Sequence, residues 1–346
     1  MRAMATGSKR RRRAPGWTRL SLDDLLDVRL CDLELTIEGT ALESRIEELY
    51  ANLRARGLRF KPHVWLSTDW FSPDGNTGFA VPFYLAHPRL ARLERREMLE
   101  VEGGTQDWCM KLMRHETAHA IDNAYRIRRK KRWRDVFGAA STPYRDSYVA
   151  APDNKNFVIN LDYWYSQSHP AEDFAETFAV WLTPNSRWRS YYVGWPALKK
   201  LEFVDELMGE LSKQAASVRS RAKPESIHTQ KQTLREYYEQ KKDRYREDAP
   251  HPFDDQLRTV FRRQPRGESA AAFLRRHRVR LRRRVSNVTT QHPYVIDQVL
   301  NEMIPRTQLL GLKRTRTDRE TFLDVCILLT ATTINFIHGG HPEYRR

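Results

Sequence analysis

The chain has 346 residues, with 60 Lys and Arg against 44 Asp and Glu, for a formal net charge of +16; 40% of its residues are hydrophobic. That is enough apolar material for a real core, and the length allows one larger domain with a smaller companion. No apolar run is long enough to span a bilayer and no apolar stretch follows the basic N-terminus, so the expectation excludes a membrane-spanning or exported chain. Cys31, Cys109 and Cys326 stand far apart in no metal-binding spacing and read as reduced thiols of a cytoplasmic protein.

Residues 1–16 read as a disordered basic tail, because residues 1–13 carry six basic side chains and no acid. Ala41 to Arg56 reads as an amphipathic helix with Leu42, Ile46, Leu49, Tyr50 and Leu53 at helical spacing. Phe60 to Phe71 reads as a strand, Ser72 to Asn76 as a turn, and Gly78 to His87 as a second strand. Pro82 in the second strand places it at an edge or a bulge. Such an edge could take an added peptide strand, or it could be an ordinary edge hairpin.

Gly103-Gly104 breaks the chain, Thr105 is a helix cap and Asp107 an acid in the first turn; no Gly or Pro follows until after Lys130. Trp108, Leu112, His115 and His119 share one helical face, so the histidines continue an apolar stripe. Within it, His115-Glu116-Thr117-Ala118-His119 is an H-E-x-x-H match. Histidines at i and i+4 can reach one metal ion, and Glu116 then stands where the general base for a metal-activated water belongs. The competing reading is two surface histidines on an ordinary helix.

A catalytic zinc needs a third protein ligand. A second helix begins near Pro170, capped by His169 or Ser168, and carries Glu172 and Glu176 on one face. Either carboxylate can be the ligand while the other orients a ligand histidine; a solvated acidic first turn is the plainer alternative. Asp122, three residues beyond His119, is a partner for that histidine or a surface acid. Tyr165 lies in the aromatic run Leu161-Asp162-Tyr163-Trp164-Tyr165, which by itself suggests packing.

HETAHAID followed by AEDFAETFA resembles a bacterial family of zinc-binding metallopeptidases of the gluzincin type, across most of residues 17–340. The metzincin pattern fails, since Asp122 and Tyr125 occupy the positions of its Gly and third ligand. The motifs are also similar to those of lethal-factor-like peptidases, in which an E-x-x-A-E run follows a Tyr by seven residues; here the run starts at Glu172 and the Tyr is Tyr165. The resemblance implies Zn2+ held by His115, His119 and Glu172, with Glu116 as base, Glu176 behind a histidine, and Tyr165 on the oxyanion. One departure is Ala171, where thermolysin-like enzymes carry Asn.

Further on, a helix from Trp195 to Ser212 closes a zincin-like metallopeptidase domain of residues 17–213. Residues 214–249 read as a charged helical linker and 250–346 as a helical C-terminal region, with helices over Ala270 to Val285 and Phe322 to Ile337. Residues 262–284 hold ten Arg and one acid, Glu268, so this run and the N-terminal one supply +15 of the +16. The Arg-rich helix suits a polyanion contact or a solvated cationic face. The expected fold is α+β: a small sheet with an edge strand, the H-E-x-x-H helix and the Glu helix, followed by helices. The expected activity is hydrolysis of a protein or peptide substrate. A nucleic-acid-associated or scaffold protein with a non-catalytic zinc site is the alternative.

Overall fold

The computed structural model describes residues 15–144, 147–148, 151, 154–246, 254–338 and 344–345. The basic tail lies almost wholly outside them.

Ser21 caps α1 (Leu22–Leu26) and Thr40 caps α2 (Ala41–Ala55), each side chain accepting a backbone N–H of the first turn. α2 buries Leu42, Ile46, Leu49 and Leu53, the stripe its spacing predicts. β1 (His63–Ser67) and β2 (Gly78–Pro82) follow. They pair in parallel, His63 opposite Gly78, and so do not form the hairpin considered from sequence. The chain bends back after β1, and it is Phe71 that lies antiparallel to Ala80, accepting its N–H at 2.8 Å. Ala80 is therefore bonded away from the β1 ladder, and all five residues of β2 are buried. The edge expected to receive a peptide is closed there by the chain itself. Gly78 is required at this crossing, since a Cβ on it would lie 2.1 Å from the His63 carbonyl oxygen.

His87 caps α3 (Pro88–Met98). Then come α4 (Gln106–Tyr125) and α5 (Lys131–Phe137). The short strand β3 (Ser147–Tyr148) pairs with β6 (Tyr344–Arg345) near the C-terminus. α6 (Pro170–Leu182), α7 (Trp188–Tyr191) and α8 (Ala197–Leu211) complete the first group of helices. The segment read as a linker is part of this body. Ile227 and, from α9 (Leu234–Arg246), Leu234, Tyr237 and Tyr238 are buried in the same core as α2, α4 and α6.

A second core gathers α10 (Asp254–Val260), α11 (Ala270–Thr289), α12 (Pro293–Leu309) and α13 (Asp318–His338) around Phe261, Phe273, Leu281, Val299 and Leu329. β4 (Arg262–Arg263) and β5 (Leu312–Lys313) form its small ladder. The described chain is thus mostly helical with little sheet, an α+β arrangement. Among the described residues no helix is long and apolar enough to cross a membrane.

Candidate metal centre

α4 starts where the sequence places it. Thr105 accepts the Trp108 N–H, and Gly103 takes φ +68° just upstream. The helix ends earlier than the absence of Gly and Pro suggests. Arg126 adopts the left-handed conformation at its C-cap, and Asp122 catches the backbone N–H of Arg128 at 2.7 Å. Asp122 also bonds the Arg128 guanidinium. It therefore closes the helix end and is not the partner of His119.

α6 is capped by His169 rather than Ser168. Its Nδ1 accepts the Ala171 N–H at 3.0 Å, which leaves Nε2–H to donate to the Thr142 carbonyl at 2.8 Å. Phe174 packs on Trp133 and Phe137 of α5, fixing the helix from behind. Asp173 turns away from the site to Lys200, 2.7 Å away. Burial pushes the Asp173 carboxyl up to about 7 against the pull of that ammonium. Lys200 also donates to the Asn156 carbonyl at 2.6 Å, tying the segment before α6 to the helix.

α4 and α6 pack face to face and bring His115, His119 and Glu172 together. Glu172 Oε2 lies 3.0 Å from His115 Nε2 and 3.1 Å from His119 Nε2, and the two nitrogens are 3.1 Å apart. Four ligands about 2.05 Å from a tetrahedral ion would stand about 3.3 Å from one another. Behind the triangle, Glu176 Oε1 accepts from His115 Nδ1 at 2.8 Å and from Asn160 Nδ2 at 2.9 Å. Its Oε2 accepts the Leu161 N–H at 2.8 Å. With its hydrogen on Nδ1 facing Glu176, a neutral His115 would carry its lone pair on Nε2, the tautomer a metal ligand requires. On the outer side, Glu172 Oε1 accepts from the Tyr144 hydroxyl at 3.1 Å.

Burial opposes the charged forms of His115 and Glu172, but their mutual contacts win. Hydrogen bonds to Glu172 and Glu176 raise His115 well above the ordinary histidine value, and the two imidazoles hold Glu172 well below the carboxylate range. Glu116 is buried beside them. Its Oε2 has no hydrogen-bond partner among the described residues. Burial raises its pKa, and the nearby imidazoles pull it back. Tyr165 stands with its ring centroid 5.7 Å from that of His115. The donor set fits a divalent cation: two imidazole lone pairs and a carboxylate oxygen converge on one point, with a buried carboxylate left unsatisfied alongside.

Spacing alone did not reveal Tyr144, Asn160 or Lys200. Tyr144 and Asn160 sit in irregular segments, where no period relates them to the motif. Lys200 lies on another helix, and nothing local marks it.

Two facing helices thus present a His–His–Glu cluster that could hold a metal ion. Residues 96–189, which contain the whole cluster, match the model of the family described as "Putative zinc-binding metallo-peptidase". No curated protein and no solved structure matches the chain.

Proposed function

We propose that this chain is a zinc-dependent metallopeptidase that hydrolyses peptide bonds of a protein or peptide substrate. On this reading residues 17–213 carry the chemistry, the segment 214–249 packs into the same core through Ile227, Leu234, Tyr237 and Tyr238, and 250–346 form a helical accessory region.

The observation that supports the reading most is the triangle of His115 Nε2, His119 Nε2 and Glu172 Oε2, with the unsatisfied Glu116 Oε2 beside it. His115, His119 and Glu172 would hold the ion. When bound, zinc supplies a Lewis acid that acidifies water and polarises a carbonyl oxygen. Glu116 takes the proton of the attacking water and later delivers it to the leaving amine. Its burial keeps the carboxyl more basic than a solvated one, which suits that transfer. Glu176 holds His115 in the ligand tautomer and carries negative charge behind it. Tyr165 donates its hydroxyl hydrogen to the oxygen that gains charge in the transition state.

Elemental analysis and peptide hydrolysis on the same preparations test this. His115→Ala and Glu172→Gln should lose the metal, whereas Glu116→Gln should keep one zinc per chain and lose activity. Tyr165→Phe should keep the metal and slow turnover. Full zinc in both ligand variants would exclude the site, and hydrolysis by Glu116→Gln at the wild-type rate would exclude the base.

A further inference from the structure

The two oxygens of Glu172 have different neighbours. Oε2 faces both imidazoles, and Oε1 takes the hydroxyl of Tyr144. Tyr144 is 51% exposed, so packing of its ring in a core does not explain its place. Its ring lies flat on His169, with centroids 3.7 Å apart and planes 14° from parallel. The same imidazole caps α6, three residues before Glu172, and donates to Thr142, two residues before Tyr144. One side chain therefore fixes both the helix that presents Glu172 and the loop that presents Tyr144.

We propose that Tyr144 is a positioning residue for the metal centre, holding Glu172 Oε1 away from the ion so that Glu172 binds through Oε2 alone. This rests on the metal-centre reading above. A carboxylate can ligate through one oxygen or both, and a second Glu172 oxygen on the ion would take the position a catalytic site must leave open for water. A hydroxyl donating to Oε1 engages one of that oxygen's two lone pairs and draws it toward Tyr144, away from the ion. This role differs from that of Tyr165, whose ring stands against His115.

The test uses the full chain loaded with cobalt(II), whose visible absorption falls as its coordination number rises, together with zinc affinity measured by chelator competition. Tyr144→Phe keeps the ring that stacks on His169 and removes only the hydroxyl. We expect its cobalt absorption to drop clearly below wild type and its zinc affinity to change by about 10-fold or more. Tyr165→Phe should match wild type in both readouts. A Tyr144→Phe protein indistinguishable from wild type in spectrum and affinity would overturn the proposal while leaving the metal site standing, as would an equal effect from Tyr165→Phe. A wild-type chain that takes up neither ion overturns both readings.

Discussion

Glu172 and Glu176 are one helical turn apart and of the same chemical type, yet their surroundings separate them. Glu172 meets two imidazole nitrogens with one oxygen, whereas Glu176 accepts three hydrogen bonds and meets only the far side of His115. Glu176→Gln should therefore bind zinc with affinity weakened about 10–100-fold, and Glu172→Gln should retain little binding. Titration of the two variants against a competing chelator checks this, and the reverse order would exchange their roles. Asp122 is a separate case. It is buried, and it serves the Arg128 backbone and guanidinium at the end of α4. Asp122→Ala should cost about 2 kcal/mol of stability and leave zinc stoichiometry unchanged, as denaturant melts and metal analysis on one sample would show.

α4 and α6 meet through an apolar interface on one side and through the His–His–Glu triangle on the other. A cation held between them ties the two helices in the folded state only, so its binding free energy adds to stability. At a free zinc concentration near 1,000 times the dissociation constant the gain is about 4 kcal/mol, or roughly 10 °C in Tm for a body of this size. Chelation should lower the Tm of the wild type by that order and leave His115→Ala unmoved. Equal shifts in both proteins would place the chelator's effect elsewhere. The helices were legible from sequence because their signals are local: Thr105 as a cap, His169 or Ser168 as the other, Pro170 at the first position, and the apolar stripe through His115 and His119. The C-terminal end of α4 was not legible, because it depends on a contact from Asp122 to a residue beyond the helix. The parallel pairing of β1 and β2 was not legible either, because a turn signal shows where a chain bends and not which strand it returns to.

Across the whole molecule, the Arg-rich run is less free than its composition suggests. On the α12 side of α11, Arg278 and Arg282 bind the buried Asp297, and Arg275 donates to Gln308. On the other side Arg276 binds Glu268 and Asp318. Among the described residues Arg280, Arg283 and Arg284 meet no carboxylate, and Arg280 lies over the Phe322 ring. If this helix binds a polyanion such as duplex DNA, Gln at both Arg283 and Arg284 should flatten the salt dependence of the affinity by about two in log–log slope. Arg278→Ala should lower stability instead, since it strips the buried Asp297 of its closest cation. Binding that shows no salt dependence would return the helix to a solvated cationic face.

The sequence by itself determined that His115, Glu116 and His119 lie on one helix and that a second helix beginning at Pro170 carries Glu172. Each lies within one helical turn of its partner or its cap, so the α-helix repeat alone sets the geometry. Only the tertiary structure decided which carboxylate faces the histidines, that Asp122 serves Arg128, that Tyr144 and Asn160 reach the cluster, and that α9 joins the first core. Each of those depends on a contact between segments with no shared period, and such contacts exist only once the core has closed around them.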